Sequence, residues 1–318
     1  MRCNKFIIVA VLALSLFSSD LRADMISQAL EAQDLVFKRD YPAAIESFKE
    51  LEAKYPDSPT GVFGQMIIWQ IMMFENFDMN HSSEYEAAEE RFMSFAGDNV
   101  EGGVPSWDLF LIGAGYGMRG FYYSKKDQWF RAVGSAIRAM QVLKRLAWED
   151  PLYHDAYLGI GMYNYWRTVF TERFHLLSIF EDKRKEGIRQ IELAAEKGKY
   201  SSKLARSNLA IIYSNERRHK EARKIIDEFL EAYPENIILR RISGRAYYAA
   251  RKYDDAKDEF LRILKIDPTM TKSYYYLGMV YARKKGYKKE AREYFEKFLE
   301  TKPEKMWVNA TEKILKQL

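Results

Sequence analysis

The feature that most restricts what this chain can fold into is a spacing. Tyr213, Tyr247 and Tyr281 stand 34 residues apart, and so do Ala210, Gly244 and Gly278. Ala222, Ala256 and Ala291 follow at intervals of 34 and 35, as do Pro234, Pro268 and Pro303. A period of this length, kept by several positions at once, describes a supersecondary unit copied three times over Lys203–Pro303. The small residue on the first half of each copy and the Ala on the second let two helices cross closely. Tyr213, Ile226, Phe229, Tyr247, Phe260, Ile263, Tyr281, Phe295 and Phe298 recur at helical spacing and form the stripe that fills the space around that crossing. Proline cannot continue a helix and turns the chain into the next copy. One such unit cannot bury its apolar face alone, so stability comes from stacking neighbours.

The pattern Tyr274-x-x-Leu277-Gly278-x-x-Tyr281, followed by Ala291, Phe295 and Pro303, resembles the tetratricopeptide repeat, with Tyr where Trp often stands. The resemblance implies an all-α fold, a right-handed α-solenoid of tetratricopeptide-like helix-turn-helix repeats. It also implies a protein or peptide partner held on a concave surface lined by the first helix of each unit. Carried over position by position, that surface comprises Tyr163, Asn164, Ile211, Asn215, Arg241, Arg245, Tyr248, Tyr275, Met279 and Arg283. Arg241, Arg245 and Arg283 with Tyr248 and Tyr275 are expected to hold an acidic or carboxylate-bearing segment, since guanidinium groups pair with carboxylates through charge-assisted hydrogen bonds. The clamp by which such repeats hold chaperone tails is not evident, because Ser207 and Ile211 occupy positions where it would want Lys and Asn.

Taken in order, the chain opens with Arg2 and Lys5, an apolar run from Phe6 to Phe17, and small residues up to Ala23. That pattern predicts a signal peptide over 1–23 and an exported, periplasmic or envelope-associated protein. The one cysteine, Cys3, would leave with it, which excludes disulfides and thiolate chemistry from the mature chain. Residues 24–104 are expected to form degenerate repeat-like helices. Residues 105–200 are expected to form divergent helical pairs with an apolar insertion at about 168–182, residues 201–303 three full repeats, and residues 304–318 a capping helix. A glycine- and proline-bearing break, Gly97–Pro105, separates the first two regions.

Gly115-x-Gly117-x-x-Gly120 after an apolar run has the spacing of a dinucleotide-binding fingerprint. The required strand–helix–strand context is missing, and so is the acid that would take a ribose hydroxyl. Leu109–Ser124 is therefore read as a helix whose Gly113, Gly117 and Gly120 let a neighbour pack closely. Phe110–Trp166, then Asp182-Lys-Arg184-x-x-Gly187 and Leu193-Ala-Ala195-Glu-Lys-Gly198, resembles a group of exported bacterial tetratricopeptide proteins of unassigned role. Asp182-Lys-Arg184-Lys-Glu-Gly187 is fainter in its likeness to eukaryotic inclusion-body clearance tetratricopeptide proteins.

Charge is unevenly distributed. Residues 24–150 carry 12 Lys and Arg against 20 Asp and Glu, a net of −8, whereas residues 151–318 carry 35 against 24, a net of +11. The charges fall between core positions and are read as solvated helix faces, so no nucleic-acid partner is expected, while peripheral membrane association stays open. His81, His154, His175 and His219 form no zinc-protease pattern, and no nucleophile elbow or phosphate loop is present. Paired acids such as Glu89-Glu90 and Asp254-Asp255 read as solvated positions. The expected function is a non-catalytic scaffold with no cofactor and no metal. The alternative is a small-molecule or lipid-binding accessory component of an envelope transport system, with a pocket beside Tyr163, Trp166 and Phe174.

Overall fold

The computed structural model describes residues 3–97, 103–173 and 181–318, with side chains described over 20–97, 103–172 and 181–318. These residues form helices and no strand, and the helices follow one another as hairpins, the all-α repeat solenoid architecture that the spacing predicts. The pairs are α1 (Cys3–Phe37) with α2 (Tyr41–Lys54), α3 (Thr60–Asn76) with α4 (Ser82–Met93), and α5 (Ser106–Lys125) with α6 (Trp129–Glu149). Next come α7 (Ala156–Arg173) with α8 (Arg184–Lys197), α9 (Ser202–Asn215) with α10 (His219–Ala232), and α11 (Ile237–Ala249) with α12 (Tyr253–Ile266). A last pair, α13 (Lys272–Ala282) with α14 (Lys288–Glu300), precedes the single helix α15 (Lys305–Leu315). Much of the break at Gly97–Pro105 and most of the apolar insertion, including Phe174, Leu176, Leu177, His175, Ile179 and Phe180, lie outside the described residues.

The turn inside a pair has a recurring backbone. One residue enters the left-handed region, at Arg39 (φ 63°), Asp127 (φ 57°), Arg217 (φ 59°) and Arg251 (φ 60°). The next N–H then reaches back five positions to an orphan helix-end carbonyl: Asp40 to Leu35, Gln128 to Tyr123, Arg218 to Tyr213 and Lys252 to Tyr247, at 2.8–3.0 Å. Tyr213, a core residue, and Tyr247, at the core's edge, thus also supply the carbonyls on which their turns close. In the last pair the extra residue behind the 35-residue interval falls in the turn, and glycine takes the left-handed position there, Gly286 at φ 88°.

The chain divides into two compact units. The first holds residues 1–70 and 81–159, and the second holds residues 71–80 and 160–318. In the second unit the expected small residues are buried at the crossings: Ala210, Ala222, Ala256 and Ala291 are at most 1% exposed. A Cβ on Gly244 would stand 2.8 Å from the Phe260 ring, and one on Gly278 2.7 Å from Phe295. Phe260, Phe295 and Phe298 are fully enclosed, each worth about 1.5–3 kcal/mol of transfer free energy. Tyr247 and Tyr281, expected in the core, are half-buried. Arg223 lies 4.2 Å over the ring of Tyr247, and Tyr281 stacks on Tyr294 at 5.3 Å. Their hydroxyls favour the edge of the core, where polar partners or water are within reach.

In the first unit the glycine tract is helical, as α5, and two of the three glycines expected on its packed face, Gly113 and Gly120, meet α6. Gly113 admits Leu143 of α6 at 2.5 Å from a Cβ, Gly120 admits the Ala132 carbonyl at 3.1 Å, and Gly115 admits Phe92 of α4 at 2.2 Å. Gly117, expected at the packed face, meets nothing within 4 Å. The tract therefore touches helices on two sides, which the pairwise reading missed. Glu89 departs from expectation too. It is buried and takes hydrogen bonds from Tyr123 Oη (2.8 Å) and Arg119 Nε, while Glu90 is exposed.

A close backbone-to-backbone crossing lies in the second unit, between α7 and α8. A Cβ on Gly187 would meet the Gly161 carbonyl and the Tyr165 amide nitrogen at 2.7 Å. Backbone cannot give way as a side chain can, so Gly187→Ala is expected to destabilise by about 1–3 kcal/mol. Gly117→Ala, with open space around it and a helical backbone, is expected to stabilise by up to about 1 kcal/mol. Chemical denaturation of the two variants, compared at equal m-value, checks both signs.

Candidate functional site

The first helices α11 and α13 carry most of the residues expected to face a partner, and the structure divides them into two groups. At the N-terminal ends of these helices the side chains are engaged with the chain itself. Residues 71–80, which hold the last turns of α3, belong to the same compact unit and pack there. A helix end leaves backbone carbonyls unpaired, and these carry the negative pole of the helix dipole. Arg241 Nη1 donates to the Glu75 carbonyl at 2.6 Å, and its Nη2 approaches the Phe74 carbonyl at 3.4 Å. Lys272 Nζ donates to the carbonyls of Asn76 (2.8 Å) and Phe77 (2.7 Å). Phe77, at φ 53°, closes the turn, and the Asp78 N–H returns to Met73 at 3.1 Å. The Phe77 ring then lies 4.0 Å from the Arg241 guanidinium and 5.3 Å from the Lys272 ammonium.

This arrangement corrects the expected role of Arg241. Its side chain is only 6% exposed, and burial draws its pKa down to about 10. Its donors hold α3 rather than waiting for a partner carboxylate. Glu259 pairs with the buried Arg240 at 2.9 Å, and Asp254 is held by Lys284 at 2.6 Å. Arg240 also donates to the Pro234 carbonyl at 2.5 Å. Sequence reasoning missed Arg240, Lys272 and the segment 71–80. Nothing in a 34-residue period marks a helix end outside the repeats as their ligand.

Toward the C-terminal ends of the same helices the face is open. Arg245 and Arg283 are exposed, Tyr248 and Met279 half-buried. Arg283 Nε donates to Tyr248 Oη at 3.2 Å, linking the two neighbouring first helices. That hydrogen bond raises the Arg283 pKa, so the guanidinium stays charged. Tyr275 turns the other way. Its ring meets Phe295, Phe298 and Trp307 at centroid distances of 5.1–5.8 Å, and burial raises its hydroxyl pKa.

The remaining expected positions lie on α7 and α9. Asn164 is buried and donates to Gln190 at 2.8 Å, which ties α7 to α8. Tyr163 is half-buried beneath Arg167, Ile211 is half-buried and Asn215 is exposed. Tyr165, adjacent to Asn164, donates to Glu216 at 2.9 Å, and burial raises its pKa. The pocket expected beside Tyr163, Trp166 and Phe174 depends on an insertion outside the described residues. Among the described residues no group of three or more His, Cys, Asp or Glu side chains is arranged to hold a metal ion. His81 stacks on Trp69 at 5.3 Å and His154 lies 6.4 Å from Tyr157.

A family model described as tetratricopeptide repeat matches residues 243–305, from the middle of α11 through α14. No curated protein sequence matches the chain. Among solved structures, a tetratricopeptide repeat protein from Parabacteroides merdae is 17% identical, with 92% of this chain and 98% of that one covered and a TM-score of 0.43. MamA of AMB-1 is 21% identical over 59% of this chain and 90% of its own, with a TM-score of 0.39. A human IFIT1 dimer with PPP-AAAA is 19% identical over 83% and 69%, with a TM-score of 0.43.

Arg241 bridges two helix-end carbonyls by itself. Arg241→Ala is expected to cost about 2–3 kcal/mol, because buried acceptors lose charged donors. Hydrogen exchange should locate the loss: amides of residues 71–80 are expected to lose protection before those of α12 and α14.

Proposed function

We propose that this tetratricopeptide-repeat protein is an exported, non-catalytic scaffold that holds a protein or peptide partner on the open part of its C-terminal first helices. The observation that carries the reading is the Tyr248–Arg283 bond between α11 and α13, with the exposed Arg245 beside it. Repeat proteins bind along the face that equivalent helices share. Here the ends of that face nearest Arg241 and Lys272 are filled by residues 71–80, which leaves Arg245, Tyr248, Met279 and Arg283. Two exposed guanidinium groups and a phenol suit an acidic segment, with Arg supplying paired hydrogen bonds and Tyr supplying area at low entropy cost. The net charge of +11 over residues 151–318 would hasten the approach of such a partner.

A double variant, Arg245→Ala with Arg283→Ala, tests the site. Both side chains are exposed, so the melting temperature should be nearly unchanged. Crosslinking in cells followed by recovery of the protein should show the partner reduced about tenfold or more, as expected when hot-spot arginines are removed. Undiminished recovery would place partner binding elsewhere.

Export is the second part of the proposal. It rests on the basic start, the apolar run Phe6–Phe17 and the small residues before Asp24. No helix among the described residues is long and apolar enough to cross a membrane. Intact mass of the protein recovered from cell envelopes is expected to correspond to a chain beginning at Asp24. A cytoplasmic chain retaining Met1 would count against it.

A further inference from the structure

Helix α6 has two faces of different character. One buries Ala132, Ser135, Ala139, Val142, Leu143 and Leu146. The other leaves large apolar side chains in the open: Phe130 is 98% exposed, Trp148 81%, Val133 52% and Ile137 48%. At 100° per residue these four lie on one stripe, about 27 Å from Phe130 to Trp148 at the helical rise of about 1.5 Å. Single exposed apolar residues are ordinary, whereas an aligned set is an interaction surface. Gly134, beside the stripe, meets nothing within 4 Å of a Cβ. The face is one uncovered helix surface bearing aromatic residues at each end.

Charge says what covers it. Arg131, Arg138 and Arg145 recur every seventh residue along one flank, and Lys144 lies within the stripe. The helix holds four basic residues against one acid, Glu149, although residues 24–150 as a whole are acidic by eight charges. Arg131 is exposed with its guanidinium 3.8 Å over Tyr123, and Lys144 is exposed. Arg145 pairs with Glu149 at 2.7 Å, and Arg131 also donates to Gln128 at 3.1 Å. An apolar stripe with aromatic ends, flanked by cations, fits the boundary between acyl chains and anionic headgroups. An acidic protein surface would complement the cations but gives no reason for the exposed apolar side chains of Phe130, Val133, Ile137 and Trp148.

We infer that α6 is a membrane-docking face: Phe130, Val133, Ile137 and Trp148 enter the interface of an anionic bilayer while Arg131 and Lys144 meet its headgroups. This surface is separate from the α11–α13 face and does not depend on it. The chain would bind its partner while held at a membrane.

The test places an environment-sensitive dye at Ile137→Cys on the chain beginning at Asp24, which has no cysteine of its own. A matched label at Lys224→Cys, an exposed position on α10, is the control. Vesicles of phosphatidylcholine alone, or with phosphatidylglycerol added, are titrated in. Expected are a blue shift of the Ile137 label with the anionic vesicles only and a flat response at Lys224. Phe130→Ser is expected to lower partitioning about tenfold, and Lys144→Glu about fivefold, with helicity unchanged. The idea is overturned by an equal response to neutral vesicles, by equal shifts at both labels, or by unchanged partitioning of the two variants. It is equally overturned if the Ile137 label is already blue-shifted without vesicles and reverts on dilution, since a second copy of the chain would then cover the face.

Discussion

Close approach of helix backbones is the constraint on which the hairpins depend. Two helices touch at their axes only where no side chain stands between them, and in this chain that place is filled by Gly or Ala. At Gly161 and Gly187 the contact is backbone against backbone, with a carbonyl 2.6–2.7 Å from where a Cβ would be. At Gly113, Gly244 and Gly278 a large partner side chain, Leu143, Phe260 or Phe295, enters the space instead. Each glycine weakens its own helix by about 1 kcal/mol relative to alanine. The packing it permits outweighs that, because an enclosed phenylalanine contributes about 1.5–3 kcal/mol.

Helix ends are the second demand on the fold, and the chain meets it in two ways. Within most hairpins a left-handed residue lets the chain's own N–H groups return to the last carbonyls. At the end of α3 four carbonyls receive cations as well, from Arg241 and Lys272. The dipole of α3 makes that a favourable place for positive charge. The cost falls on solvation of Arg241, whose burial lowers its pKa. A cation used this way is lost to any partner. The α11–α13 face is therefore narrower than the repeat pattern suggests, and its charge comes from Arg245 and Arg283.

The same distinction separates apolar side chains. Most large residues of the second helices point inward, but α6 keeps two apolar faces. Its inner face is made of small and aliphatic residues, whereas its outer face carries Phe130, Ile137 and Trp148. Core packing accounts for the first and gives no reason for the second.

The 34-residue period alone determined that the chain is helical, that it folds as hairpins and which small residues sit at crossings, since those positions answer to local geometry that repeats with the sequence. The helical state of the glycine tract was legible as well, from the missing strand–helix–strand context. The period could not decide which residues of the repeats remain open. Arg241 and Arg245 are one turn apart on the same helix, and both look like groove residues in sequence. One is buried against carbonyls of residues more than 160 positions earlier, and the other is exposed. Glu89 and Glu90 diverge in the same way, the first enclosed by Arg119 and Tyr123 and the second in solvent. Gly115 and Gly117 look alike in the tract, yet only Gly115 meets α4. In each case the deciding partner is distant in sequence. Local periodicity fixes which side of a helix a residue occupies, and only tertiary packing fixes what stands opposite.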